Sequence, residues 1–440
     1  MEKMTGIMAG WLIMSATEAK KDYGFVVENG KIVEIVPNEK LLGKEGVIDA
    51  RDSIVCPTFT NTHTHFYETL AHGATEPNLS LKPLLEDFWW PVVENRQTLE
   101  TIRISTEYSA LESMTSGVTL CNDILEAPFA ERGKRLLTEE AVIRKAGMKA
   151  VLESNERIST ENGYENLEEN KNFILKMRET GNSDIRGTIC THTTFSCSTP
   201  FLMKAAGMAR DMDEYIQIHM NEGPDEDKCC VDKHGMTTAE LYKKIGFWEG
   251  GKAWANQCSC MEPVELNIMG QMGVGISTQP RSNALCNAGI APVADMLKNG
   301  IKVGLGTDNG EGNFYENMRY LVLMQMGKNY SKHALTPLQG FQIATEGGAF
   351  GLGYTDVGCL KEGYSADFQI LTGNAAIQLT EKNVVAEVFW RKDPKDIKKV
   401  YVNGNLICQD GHSVNLDDER IRKDFSECVR EFWKGQPYQD

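Results

Sequence analysis

The stretch "CPTFTNTHTHFYETL", residues 56–70, closes an apolar run and places His63 and His65 two positions apart. Side chains alternate along a strand, so these two imidazoles leave the backbone on the same face. A pair of imidazoles presented together is half of a metal site. The remaining sequence must supply further ligands and the groups that handle protons.

Working outward, the 440-residue chain carries 46 Lys and Arg against 62 Asp and Glu, a net charge of −16. Such a surface repels nucleic acid and anionic membranes, and no basic cluster reverses this locally, which points to a protein acting on small molecules. The opening "MEKMTGIMAGWLIMSATEAKK" lacks the basic-then-apolar pattern of a signal peptide. No run approaches the roughly 18 uninterrupted apolar residues that span a bilayer. The twelve cysteines are scattered, with Cys229 and Cys230 adjacent and Cys258 and Cys260 one residue apart. Neither spacing is that of a secreted disulfide framework, so a reducing cytoplasm is expected, where thiols mostly serve as small core residues.

Two apolar runs in "YGFVVENGKIVEIV" are joined at Asn29-Gly30, a hairpin signal, and a second Asn-Gly turn lies at Asn403-Gly404 in "IKKVYVNGNLICQDG". A small β-sandwich domain assembled from both termini, residues 1–56 and 359–440, is therefore expected. Between the ends, "SIVCPTFTNTH", "GVTLCND", "MKAVLES", "IRGTICTH", "YIQIHMNE", "KAWANQC", "GVGISTQ" and "IKVGLGTD" read as β runs. They alternate with amphipathic stretches such as "TIRISTEYSALESMTS" and "TPFLMKAAGMARDM". That alternation predicts a (β/α)8 barrel over residues 57–358, an α/β fold whose active site is built where the strands end.

Of the eight histidines, His63, His65, His192 and His219 stand at or near such strand ends. Asp308 ends the eighth run in "GLGTDNG", and Glu222 follows His219 by three in "HMNEG". Three imidazoles and one carboxylate suit zinc or a similar divalent ion with a place left for water, and a nearby carboxylate can take that water's proton. Each element has a plainer reading as well. A lone His-x-His pair is commonly a coincidence, an isolated His219 reads as a hydrogen-bonded core residue, and Asp308 could simply cap the next helix. Their conjunction at the same end of three strands is what argues for a site.

The segments "NTHTHF", "HTTFSCS", "HMNE", "SNALCNAGIAPV" and "GLGTDNG" resemble the amidohydrolase superfamily in its deaminase and chlorohydrolase branch. That branch includes S-adenosylhomocysteine and methylthioadenosine deaminases, guanine deaminase and triazine hydrolases. "GCLKEGYSADFQIL" is similar to the family's return to its small β domain, so the resemblance covers essentially the whole chain. It implies one divalent ion, zinc first with iron or manganese as alternatives, on His63, His65, His219 and Asp308. Binuclear relatives use a bridging lysine at the end of strand four, where this chain has "CTHTTF" with His192 matching a substrate-facing histidine. The resemblance further implies that Glu222 is the general acid/base and that Asp308 also orients the water. Hydroxide on the metal would then attack an amidine-like or amide carbon of a nitrogen heterocycle, whether purine-, pterin- or pyrimidine-like. Homo-oligomers are common among such relatives, so a dimer or larger assembly is expected.

Two family positions depart from the pattern. The usual "A-H-C-x-H" of strand six is "ANQCSC", placing Gln257 and Cys260 at the histidine positions, and the usual "S-H-N-P" of strand seven is "STQP". Glutamine donates and accepts hydrogen bonds but shuttles no proton near neutral pH. Three readings stand at this point: Glu222 and Asp308 handle every proton; Cys258 or Cys260 is an extra ligand or nucleophile; or the protein binds metal without turnover. Core packing is the plainer role for both cysteines. Trp89 and Trp90 in "LLEDFWWPVVE" are stacking residues for a flat ring or ordinary packing residues. The nucleoside-deaminating branch carries Glu-Trp-Leu where this chain has Pro83-Leu84-Leu85, which weakens the case for a nucleoside. The expected substrate contacts are His192, Gln257, Trp89 and Asn309. Deamination leads, with opening of a cyclic amide or amidine ring as the alternative.

Overall fold

A computed structural model of the chain describes residues 4–74, 77–155, 161–309 and 312–437. Both ends of the sequence meet in one nine-stranded sheet. Gly6–Ile13 lies at its middle, with Tyr23–Glu28 and Val47–Pro57 on either side. Phe368–Thr372 then pairs with Val47–Pro57 and brings Ile397–Val402 and Asn405–Gln409 beyond it. Both Asn-Gly turns are two-residue hairpins: Glu28 pairs with Lys31, and Val402 with Asn405. At each turn both central residues have positive φ, 50° and 78° at Asn29-Gly30 and 49° and 71° at Asn403-Gly404, the conformation that Asn-Gly adopts with least strain. Phe368 fills the core of this sheet, edge-on to Phe25 at 5.3 Å and stacked on Tyr401 at 4.5 Å.

The intervening chain forms two parallel sheets. Phe59–Thr64, Val118–Leu125, Lys149–Ser154 and Ile185–Arg186 make the first. Ile189–Thr191, Ile216–Met220, Ala253–Gln257, Gly275–Thr278 and Val303–Leu305 make the second. Residues 59–64, 118–125, 216–220 and 253–257 are buried throughout, as expected of strands covered on both faces. A parallel bridge between Thr64 and Asp308 links one sheet to the other. Side chains also cross between them: the Asn122 and Gln217 amides exchange two hydrogen bonds of 3.0 Å, and Thr62 meets Ser277 at 2.5 Å.

Helices follow the strands, with termini written in local sequence. Thr98 and Thr101 form a reciprocal cap on Leu99–Thr115, and Gly147 in the left-handed region ends Arg135–Ala146. The terminal sheet is tied to the parallel strands by Lys149 and Asp367, a buried ion pair at 2.5 Å.

Two β runs differ from the sequence expectation. "SIVCPTFTNTH" is divided: Val47–Pro57 belongs to the terminal sheet and Phe59–Thr64 to the parallel one. Pro57 offers no amide hydrogen, and the Thr58 hydroxyl bonds Thr119 at 2.6 Å, so the chain changes partners there. "IRGTICTH" likewise breaks at Gly187-Thr188, where a Cβ on Gly187 would lie 2.8 Å from the Phe173 ring. Among the described residues, no helix is long and apolar enough to cross a membrane.

Candidate active site

At the C-terminal ends of the parallel strands, His63, His65 and His219 converge, each offering a ligating nitrogen within 4.8 Å of the others. Strand alternation turns His63 and His65 to one side, and their rings stand 4.9 Å apart and nearly perpendicular. The His219 ring lies 5.0 Å from His63 and 5.5 Å from His65. The outward nitrogens are fixed by main chain: His65 Nδ1 faces the Ile124 carbonyl at 2.7 Å, and His219 Nδ1 faces that of His192 at 3.3 Å.

Asp308 closes the cluster. Its Oδ1 is 2.8 Å from His63 Nε2 and 3.3 Å from His65 Nε2, while Oδ2 accepts a 2.5 Å hydrogen bond from Ser282. The backbone at Asp308 is left-handed, φ 66°, and is held on both sides. Its amide donates to the His63 carbonyl at 2.9 Å, and its carbonyl accepts from the His65 amide at 3.0 Å. Gly306 is required for this approach, because a Cβ there would stand 2.8 Å from His63 Cβ and carbonyl oxygen.

The electrostatics suit a cation. Burial pushes the His63 and His219 pKa values down, well down for His219, so both are neutral lone-pair donors. Burial would raise Asp308, but hydrogen bonds from His63 and His65 outweigh it and hold the group well below the usual carboxylate range. Burial also lowers His65, yet Glu68, Asp308 and Glu126 together raise it well above its ordinary value. Two neutral imidazoles, a third drawn by carboxylates, and a carboxylate facing two Nε2 atoms form a donor set that fits a divalent ion. A cation would have to displace the His65 proton.

Glu222, three residues beyond His219, is buried and pushed well above the carboxylate range, first by burial and then by the charges of Asp308 and Glu226. It holds a proton beside an ionised Asp308. Two carboxyls whose environments drive their pKa values apart form an acid–base pair.

Among the expected substrate contacts, the His192 ring stands 5.6 Å from that of His219. His192 directs Nδ1 to Ser196 Oγ at 2.6 Å, and Trp90, rather than Trp89, is the ring beside it, at 6.0 Å. Trp89 lines a cavity of about 420 Å³ together with Glu68, His72, Arg281 and Asn309. Asn309 Oδ1 is buried without a hydrogen-bond partner among the described residues, and its carbonyl meets His72 Nε2 at 3.3 Å. Gln257 is 1% exposed, and among the described residues neither its Oε1 nor its Nε2 is hydrogen-bonded.

The cysteine pair does not lie on a strand. The strand ends at Gln257, and Gln257 and Cys258 take left-handed φ values of 73° and 49°, breaking the alternation that would align the sulfurs. Cys258 Sγ faces the Asn256 carbonyl at 3.8 Å and Cys260 Sγ that of Ala288 at 3.5 Å. Burial raises both thiols, Cys258 well above its ordinary value, which opposes the thiolate that a ligand or nucleophile needs.

Three participants escaped the sequence reading. Glu126 follows the strand Val118–Leu125 and brings Oε1 to 3.7 Å from His192 Nε2, and its donor atom lies within 4.8 Å of those of His192 and His219. Glu68 faces His65, and Ser282 holds Asp308. Position alone signalled Glu126, an acid immediately after a strand end; Ser282 lies within "SNALCNAGIAPV" with no charge to mark it.

Residues 54–407 match the amidohydrolase family. The chain is 28% identical over 407 residues to a 5′-deoxyadenosine deaminase of Methanocaldococcus jannaschii, covering 91% of this chain and 94% of the relative. It is 29% identical over 405 residues to a 5-methylthioadenosine/S-adenosylhomocysteine deaminase of Carboxydothermus hydrogenoformans, covering 90% and 91%. Its fold is that of an adenosine deaminase from Xanthomonas campestris crystallised with zinc, with a TM-score of 0.89 at 18% identity over 98% and 99% of the two chains.

Proposed function

The chain belongs to the amidohydrolase family and is a hydrolase of carbon–nitrogen bonds, and from that premise we propose that it deaminates a nucleoside-like nitrogen heterocycle. The observation that carries this reading is Glu222: a buried, proton-holding carboxyl three residues from His219, beside the ionised Asp308. A protein that only bound metal would have no use for that proton.

We read the two parallel sheets as the arcs of one (β/α)8 barrel, residues 57–358. The Thr64–Asp308 bridge and the Asn122–Gln217 contact across the interior support closure. The terminal sheet, from residues 1–56 and 359–440, is read as the small β-sandwich domain.

His63, His65, His219 and Asp308 would hold one divalent ion, zinc first. When bound, such an ion supplies Lewis acidity and lowers the pKa of a water to about 7. In the proposed reaction water adds to the amino-bearing ring carbon, the C–NH2 bond breaks, and a carbonyl and ammonia result. Glu222 donates its proton to the ring nitrogen next to that carbon. Asp308 accepts one proton from the attacking water and returns it to the departing nitrogen, completing ammonia, while the remaining hydroxyl proton passes to Glu222 as the carbonyl forms and restores its acid form. His192, fixed by Ser196 and faced by Glu126, contacts the substrate edge. Gln257, with both amide atoms free, offers one donor and one acceptor to an adjacent donor–acceptor pair on the ring. Trp89 walls the cavity that takes the rest of the substrate.

The deciding experiment incubates zinc-loaded protein with 5′-deoxyadenosine, S-adenosylhomocysteine, adenosine and guanine, following ammonia release and ring absorbance together. Ammonia release with the ring retained supports deamination. Loss of ring absorbance would replace it with ring opening, and silence across the panel would overturn the nucleoside-like class.

A further inference from the structure

The C-terminal helix Asp418–Trp433 packs along Leu99–Thr115, with Arg420 bridging Glu107 at 2.8 Å and the rings of Phe425 and Tyr108 stacked at 3.7 Å. These contacts hold the helix on the body of the protein. Its last turn does something different.

Trp433, 1% exposed, donates from Nε1 to the carbonyl of Leu70 at 2.6 Å. Leu70 lies in the short 3-10 helix Phe66–Ala71 that leaves His65 and carries Glu68 into the cavity. The same indole is stacked on Phe88, ring centres 6.2 Å apart and planes 18° apart. Phe88 belongs to Leu85–Val93, which carries Trp89 in the cavity wall and Trp90 beside His192. One side chain near the end of the sequence therefore touches both segments that wall this cavity, called its roof below.

The second roof segment needs outside support. Pro91 sits within it and removes an amide donor, and the winding is wide enough that the Glu94 amide reaches back to the Trp89 carbonyl. Arg96, in the turn Glu94–Arg96 that follows it, donates to the Phe432 carbonyl and lies 4.2 Å from the Phe432 ring centre, so the same helix turn grips the segment's exit twice.

We propose that Trp433 is a positioning residue that clasps the two roof segments together and so sets the shape of the substrate cavity. This rests on the site reading given above. Loss of the indole N–H frees Leu70 and lets Glu68 and Trp89 separate, so substrate binding weakens while the groups that move protons stay in place.

The test compares full-length, zinc-loaded wild type with Trp433→Phe, which keeps a ring against Phe88 but removes the donor, and with Phe425→Leu, which loosens the helix away from the roof. With 5′-deoxyadenosine as substrate, Trp433→Phe is expected to raise KM about fivefold with kcat within about twofold and zinc content unchanged. Amide hydrogen exchange should speed up about tenfold or more in 66–71 and 85–93 and not elsewhere. Phe425→Leu should lower the melting temperature and leave KM unchanged. Unchanged exchange in the roof, or acceleration spread evenly over the molecule as in Phe425→Leu, would overturn the proposal. Exchange reads the clasp without turnover: inactivity toward 5′-deoxyadenosine alongside localised roof exchange would refute the substrate reading and uphold the clasp.

Discussion

Nε2 of His63 lies 2.8 Å from Oδ1 of Asp308, although 245 residues separate the two in sequence. The same Oδ1 lies 3.3 Å from His65 Nε2, and among the described residues His63 Nδ1 is buried without a hydrogen bond. The contact exists because left-handed Asp308 and its neighbours are hydrogen-bonded to the main chain of 63–65. Purified protein is therefore expected to carry about one equivalent of a divalent ion, as a four-donor site implies. His63→Ala and Asp308→Ala should each cut zinc occupancy at least about tenfold. Full zinc content in both variants, by elemental analysis, would sink the ligand assignment.

Glu222 offers a sharper separation of binding from chemistry. Its proton is held by burial and by the charges of Asp308 and Glu226, and it touches none of the three imidazoles through a hydrogen bond. Glu222→Gln keeps size and burial but removes the transferable proton. Turnover should fall by about 10²- to 10⁴-fold, the usual worth of a general acid, with zinc retained. Activity within a few-fold of wild type would remove Glu222 from the mechanism.

The two cysteines of the strand-six motif, Cys260 at a family histidine position and Cys258 beside the other, are predicted to be bystanders. Cys258 and Cys260 both have thiols raised by burial and sulfurs facing carbonyls. Cys260→Ser and Cys258→Ala should keep zinc content and stay within about threefold of wild-type kcat/KM, since neither thiol is a thiolate near neutral pH. Loss of zinc in either variant would restore the extra-ligand reading.

What was legible in the sequence follows from how locally each feature is encoded. His63 and His65 declare their shared face through alternation, and the Asn-Gly turns declare their hairpins through the positive φ that the pair tolerates. The direction of the Cys258-x-Cys260 pair was not legible. It depends on two consecutive left-handed residues, Gln257 and Cys258, neither of them glycine and both imposed by surrounding contacts such as the Gln279 side chain on the Gln257 amide at 3.0 Å. Glu126 was missed for a related reason. An acid after a strand looks like any surface acid until the fold brings His192 to within 3.7 Å. The division of residues 47–64 into two strands turns on Pro57 lacking a donor, a signal present in the sequence and outweighed by the long apolar run around it.

The last prediction concerns a buried acid away from the ligands. Glu153 is the penultimate residue of the strand Lys149–Ser154, fully buried, and accepts a 2.9 Å hydrogen bond from Thr188. Burial pushes its pKa from the ordinary 4.5 up to about 8, the Thr188 hydrogen bond opposing only part of the shift. A carboxyl raised on folding keeps its proton in the native state across a range where the unfolded chain has released it. Its contribution is fully present below 4.5 and is lost as pH rises toward 8, by at most about 1.4 kcal/mol per pH unit in between. Glu153→Gln carries a permanent neutral amide that still accepts from Thr188, so it should escape this loss. Its melting temperature is expected to match wild type near pH 5 and to exceed it by about 2 °C or more near pH 9. A variant less stable than wild type at both pH values would show that Glu153 is ionised in the folded protein and that its charge is stabilising.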